Sequence, residues 1–307
     1  MKKIVSIVLA VSMLAVCVTG CKTTTRKQLK PVVLNEVAHS IFYAPQYAAI
    51  ELGYFEDEGL DLTLVNGAGA DKVMTALISG DADIGFMGSE ASIYVYQQGS
   101  DDYAVNFAQL TQRAGNFLVG REAQDNFTWA DLKGKKVLGG RAGGMPEMVF
   151  EYILKKNGID PAADLTIDQS INFGLTAAAF TSNDADYTVE FEPFATGLEK
   201  EGNGHVIASL GVDSGYVPYT AYSVKKSYLE KNPETIQKFT NAIQKGLEYV
   251  NTHSAEEIAK VIQPQFKETD IATITAIVER YKSQDTWKTS TVFTEDSFNL
   301  LQDILTQ

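Results

Sequence analysis

Three clusters in this chain have residue types and spacings that could hold a small molecule. The first is Gly139-Gly140-Arg141-Ala142-Gly143-Gly144-Met145-Pro146-Glu147, four glycines ahead of a proline. A proline in the first helical turn needs no N–H, and glycines before it let backbone amides converge on a carboxylate, sulfonate or amide oxygen. Gly143, Gly144 and Met145 are the candidate contacts, and Arg141 could form a bidentate pair with an anion; the alternative is a flexible turn. The run lacks the Lys-Ser/Thr ending of a phosphate loop and the spacing of a dinucleotide fingerprint. The second cluster is Met87-Gly88-Ser89-Glu90. Gly88 permits close approach, while Ser89 as an N-cap and Glu90 as a first-turn acid are also explained without any ligand. The third is the 186–193 stretch, with Glu190 at a strand end and Glu192 just before Pro193. A strand-end carboxylate in a narrow cleft accepts from N–H donors and repels anions, although acids near a helix start also complement its dipole. The loop 38–43 adds Ser40 as a hydrogen-bond donor and Phe42 or Tyr43 as a flat face, or else Phe42 as core with Tyr43 as its lid; Tyr216 and Tyr219 are further stacking candidates.

The elements that must position these residues alternate. Strand-like segments at 32–34, 60–65 and 83–87 are interleaved with helical spacing at 44–52, 71–79 and 89–97. The alternation resumes with strands at 136–139, 165–168, 187–189 and 205–210 and helices at 146–156, 174–180 and 191–201. From Pro233 onward the pattern is helical, at 234–252, 255–262, 270–282 and 295–306. This order predicts an α/β fold of two lobes built on parallel strands, with the C-terminal helices packed on lobe one. Lobe one is expected over 31–112 plus 216–307 and lobe two over 113–215, with crossovers near 111–116 and 214–219. In open α/β sheets the carboxyl ends of the strands and the following helix N-termini form the binding crevice, which is where the three clusters fall.

Composition narrows the chemistry. Acidic residues outnumber basic ones 39 to 26 over 307 residues, a net charge of −13, so a phosphate backbone is repelled and nucleic acid is excluded as a partner. His39, His205 and His253 lie far apart and offer no metal-ligand spacing, and His39 reads as a residue of local packing. No metal, cofactor or catalytic set is expected: there is no Gly-x-Ser-x-Gly elbow and no carboxylate pair with an acid/base division of labour.

The N-terminus carries a separate signal. Lys2 and Lys3 precede a short apolar run from Ile4 to Val18, and Val18-Thr19-Gly20-Cys21 resembles the bacterial lipobox. The run is shorter than the roughly 20 residues that span a bilayer. The reading is a signal peptide over 1–20, lipidation of Cys21, and a basic tether over 21–30. Cys17 would leave with the leader, so no disulfide is expected.

Four motifs in order carry a family resemblance. They are Phe42-Tyr43-Ala44-Pro45 leading into Gly53-Tyr54-Phe55 and Glu58-Gly59-Leu60-Asp61-Leu62; Lys72 to Leu77 with Gly80-Asp81-Ala82-Asp83-Ile84-Gly85; Asp131-Leu132-Lys133-Gly134-Lys135-Lys136-Val137; and Asp186-Tyr187 with Glu192-Pro193, where Tyr187 replaces the usual alanine. The stretch from Val32 to Leu210 resembles the substrate-binding proteins of ABC importers, in the NMT1/THI5-like group that includes nitrate, sulfonate/taurine, thiamine-pyrimidine and riboflavin binders. The resemblance implies a periplasmic-binding-protein fold of the two-crossover type that closes on a solute. It also implies a permease with its ATPase as partners, a lipid-anchored location on the extracytoplasmic face, and a monomer. The strand-end acids tilt the expected ligand toward an amino-bearing heteroaromatic such as a thiamine pyrimidine precursor, with taurine, another sulfonate or nitrate as the alternative. A yeast branch of the group makes the pyrimidine enzymatically, but its cysteine-rich motif has no counterpart here; a signalling or adhesive lipoprotein is the third class.

Overall fold

The computed structural model describes residues 28–171 and 174–306. The leader, the lipobox and Cys21 lie outside the described residues. Among the described residues, ten strands form two five-stranded sheets. The first uses β1 (Lys30–Glu36), β2 (Leu60–Asn66), β3 (Ile84–Gly88), β4 (Ala104–Thr111) and, from much later in the chain, β10 (Thr220–Lys225), in the order β2-β1-β3-β10-β4. The second uses β5 (Asn116–Gly120), β6 (Lys136–Leu138), β7 (Thr166–Asp168), β8 (Tyr187–Phe191) and β9 (His205–Ser209), in the order β7-β6-β8-β5-β9. Lys30, expected at the end of a tether, is the first residue of β1, and its ammonium is held by Asn232 and Thr235.

The expectation of parallel strands needs correction, because both sheets are mixed. β10 runs antiparallel to β3 and β4, and β5 runs antiparallel to β8 and β9. The cause is the route of the chain. β4 ends at the cleft side of the first lobe and β5 begins only four residues later, so β5 starts in the second lobe from that same side. A strand that brings the chain into a lobe from the hinge side therefore points opposite to those whose carboxyl ends face the cleft.

The C-terminal helices divide their contacts. Helix Pro233–Thr252 buries Ile236, Phe239, Ile243, Leu247 and Val250, an i, i+3/i+4 stripe that faces helix Ala44–Glu51 of lobe one. The two approach so closely that a Cβ on Gly246 would lie 2.2 Å from the Pro45 carbonyl oxygen. Backbone cannot yield as a side-chain tip can, so Gly246→Ala is expected to destabilise the protein by about 2 kcal/mol, read as a lowered urea midpoint at unchanged slope. Helix Ala255–Ile262 starts with a capping box between Ser254 and Glu257 and also meets helix Ala44–Glu51. Helices Ile271–Ser283 and Glu295–Thr306 reach lobe two as well: the former through Arg280 to Glu192 and Glu199, the latter against helix Met145–Lys156.

Candidate ligand-binding cavity

At the cleft ends of β3 and β8 lies a cavity of about 950 Å³, counted to its mouth, with mainly apolar walls. Ser40, Tyr43, Gly88, Glu90 and Tyr219 line it from one sheet's side, and Arg141, Gly144, Met145 and Glu190 from the other.

Two carboxylates face this space from opposite lobes. Glu90 opens helix Glu90–Gln97 and is 2% exposed. Its Oε1 accepts the Met145 N–H at 3.2 Å, a bond between lobes at the N-terminus of helix Met145–Lys156. Its Oε2 is buried with no hydrogen-bond partner among the described residues. The carboxylate lies over Gly88, where a Cβ would stand 2.1 Å from Oε2; glycine here makes room for the acid as much as for a ligand. Burial pushes Glu90 up to about 7, against the smaller pull of its backbone hydrogen bonds and Arg141. Glu190 sits on β8, accepting from the Thr188 hydroxyl at 2.6 Å and the Thr176 hydroxyl at 2.9 Å, and burial pushes it up to about 7 as well. Below the loop, buried Glu147 accepts from the Gly143 N–H at 3.0 Å and the Gln169 amide at 2.7 Å; burial and then Glu151 bring it to about 7. Arg141 is half exposed, its closest carboxylate Asp71 at 3.8 Å across the cleft, so its guanidinium has donors to spare.

Five of the residues read as candidates from the sequence are engaged elsewhere. Phe42 belongs to the core: its fully buried ring lies 5.3 Å from that of Tyr281 and 5.6 Å from that of Tyr219, in space that Gly115 leaves open. Ser89 does not cap its helix; its hydroxyl donates to the Pro218 carbonyl, joining β3 to the start of β10. Gly143 spends its N–H on Glu147 and its carbonyl on the Tyr94 hydroxyl at 3.2 Å. Glu192 is fully buried behind the wall, held by the Thr196 N–H and hydroxyl and by Arg280 at 2.6 Å. Tyr216 is an exposed hinge residue under the Arg113 guanidinium, its hydroxyl on Asp285 at 2.5 Å. His39 packs as expected, bridging Glu36 at 2.8 Å and the Gln265 carbonyl at 2.9 Å.

The walls also use residues that the sequence reading passed over: Gly69 and Ala70, Thr176, Phe191 and Phe194 among them. Gly69 and Ala70 begin helix Ala70–Ser79, Thr176 begins helix Thr176–Ser182, and Phe194 begins helix Phe194–Lys200. Each is the first turn after a strand, so the strand-to-helix rule applied to every unit, and not only to glycine-rich ones, would have found them. Among the described residues, no group of His, Cys, Asp and Glu is arranged to hold a metal ion.

Residues 41–257 match the family described as NMT1/THI5 like. The chain belongs to that family. An NMT1/THI5-like relative, YtlA of Bacillus subtilis (strain 168), a provisionally assigned binding protein, is 47% identical over 286 residues, covering 93% of this chain and 85% of its own. A 4-amino-5-hydroxymethyl-2-methylpyrimidine phosphate synthase of Saccharomyces cerevisiae is 26% identical over 229 residues, 68% of this chain but only 63% of the enzyme's length. Among solved structures, the alkanesulfonate-binding protein SsuA from Xanthomonas axonopodis pv. citri, bound to MOPS, superposes with a TM-score of 0.71 at 17% identity, over 90% of this chain and 91% of that one; at that identity it speaks for the fold. This NMT1/THI5-like chain is thus a two-lobed binding protein and not an enzyme of the yeast kind. Membership implies a solute-binding component of an ABC-type importer, extracytoplasmic and membrane-associated, working with a permease and its ATPase.

Proposed function

We propose that the protein captures a small heteroaromatic solute bearing amino groups, of the aminopyrimidine class, and delivers it as a lipid-anchored monomer to a membrane permease. The observation that carries this reading is the buried, unpartnered Oε2 of Glu90 at the cavity wall, with Glu190 on the opposite wall. A buried acceptor without a donor costs free energy that a ligand N–H recovers, and two acids in one cavity disfavour an anion. The rings of Tyr43, Tyr219 and Phe191 line the same space and suit a flat guest. Closure supplies contacts from both lobes at once, so the ligand shifts the population toward the closed form.

A second reading, an alkanesulfonate or another small oxyanion, has two supports of its own. One is Arg141 on the wall with uncommitted donors; the other is the likeness to the MOPS-bound alkanesulfonate-binding protein. Isothermal titration with 4-amino-5-hydroxymethyl-2-methylpyrimidine, taurine and nitrate separates the two. The first reading expects heat with the pyrimidine alone, and saturable binding of taurine or nitrate without the pyrimidine overturns it.

A further inference from the structure

Residues 280–287, from the end of helix Ile271–Ser283 into the turn beyond it, run across both crossovers between the lobes. The Tyr281 hydroxyl donates to the Gly115 carbonyl at 2.9 Å, and the Gln284 amide to the Ala114 carbonyl at 3.2 Å. On the return path, the Ser209 hydroxyl at the end of β9 donates to Gln284 Oε1 at 2.6 Å, and the Tyr216 hydroxyl in the crossover donates to Asp285 at 2.5 Å. Arg280 reaches furthest into lobe two. Its guanidinium donates to Glu192 at 2.6 Å and Glu199 at 3.0 Å, and lies 5.3 Å from the centre of the Phe117 ring on β5. Glu192 is fully buried and directly follows the cavity-lining pair Glu190 and Phe191, and its carbonyl accepts the hydroxyl of cavity-lining Ser40 at 2.8 Å.

We propose that Arg280 is a positioning residue for the cavity: it ties the cleft end of β8 to the hinge, so that Glu190 and Phe191 stand where a solute meets them when the lobes close. The end of helix Ile271–Ser283 is then a third hinge element beside the two crossovers. Arg280 touches no ligand and acts through Glu192. Its planar fork aims separate N–H groups at the two acids, a fixed geometry that a lysine ammonium does not supply. The inference takes the cavity to be the solute site, as proposed above, but its deciding readout does not depend on the ligand.

That readout is amide hydrogen exchange by mass spectrometry on the full-length protein in detergent, as wild type, Arg280→Met and Arg280→Lys. Arg280→Met is expected to speed exchange about tenfold in residues 187–196 and 112–116 while β1 and β7 keep wild-type protection; Arg280→Lys falls between. With 4-amino-5-hydroxymethyl-2-methylpyrimidine as the probe, dissociation from Arg280→Met is expected to be about tenfold faster at a nearly unchanged association rate. Unchanged exchange at 187–196 in both variants overturns the proposal, as does an even rise across the chain. Should Arg280→Met not fold, Arg280→Lys is compared with wild type on the same peptides. Should the pyrimidine bind no variant, wild type included, the ligand reading fails, and the exchange pattern still decides the role of Arg280.

Discussion

Glu90→Ala is expected to weaken aminopyrimidine binding about 30-fold, the scale of one charged hydrogen bond lost from a dry site, about 2 kcal/mol. Two contacts disappear together: the acceptor for a ligand N–H and the Oε1 bond to the Met145 amide that joins the lobes. Glu90→Gln separates them. It retains a carbonyl for Met145 and puts an NH2 group where Oε2 lies over Gly88. The aminopyrimidine should then still bind poorly, because donor meets donor, while nitrate or an alkanesulfonate should bind better than to wild type. Titration calorimetry on the two variants reads this directly; wild-type aminopyrimidine affinity in Glu90→Gln would remove the glutamate from the recognition scheme.

The same acids predict an unusual pH profile of stability. Glu90 and Glu190 sit near 7 in the folded protein, above an ordinary value of 4.5, so between these limits the native state binds more protons than the unfolded chain. Stability therefore falls as pH rises from about 4.5 to 7 and levels off above. Each shift corresponds to about 3 kcal/mol, and together they cost the ligand-free protein about 5 kcal/mol at pH 8 relative to pH 5. His39 is raised by its bond to Glu36 and acts in the same direction, losing its contribution as pH rises through its folded value. Asp102, Asp164, Asp168, Asp184 and Asp270 are lowered, and their contributions are lost only in more acid solution, below this window. Thermal melts of the ligand-free protein should show a midpoint roughly 10 °C higher at pH 5.5 than at pH 8. Glu90→Gln combined with Glu190→Gln should shrink the difference, with Glu147, also near 7, holding the remainder; a midpoint that rises with pH over this range would contradict the assignment.

Much of this arrangement is legible in the chain because local pattern and burial agree. Val73, Met74 and Leu77 at helical spacing are the buried face of helix Ala70–Ser79, and Gly80 ends it in a left-handed conformation. Strands β4, β5 and β10 were not legible. β5 is buried at all five positions and shows no alternation, and β10 lies just past a crossover rich in small residues. The direction of β5 and β10 depends on where the hinge lies, which no local spacing encodes. In the cavity, Glu90 and Glu190 could be read because each ends a recognisable strand or begins a helix. The choice between Phe42 and Tyr43 could not, since both lie in one turn of 3₁₀ helix and the space that draws Phe42 inward comes from Gly115. Glu192 looked like a wall residue until its partner Arg280, 88 positions later, took it out of play.

The position of β10 between β3 and β4 also has a consequence for how the molecule comes into being. All five strands of the second sheet lie between Asn116 and Ser209, so that sheet can assemble from one continuous stretch of chain. The first sheet cannot: its last-made member is one of its inner strands, and the facing edges of β3 and β4 stay unsatisfied until Lys225 has been made. Pairings so distant in sequence form late because their loop-closure entropy comes first. The first sheet is thus completed only after most of the chain has been made, a useful order in a polypeptide that must be threaded through a membrane before it works.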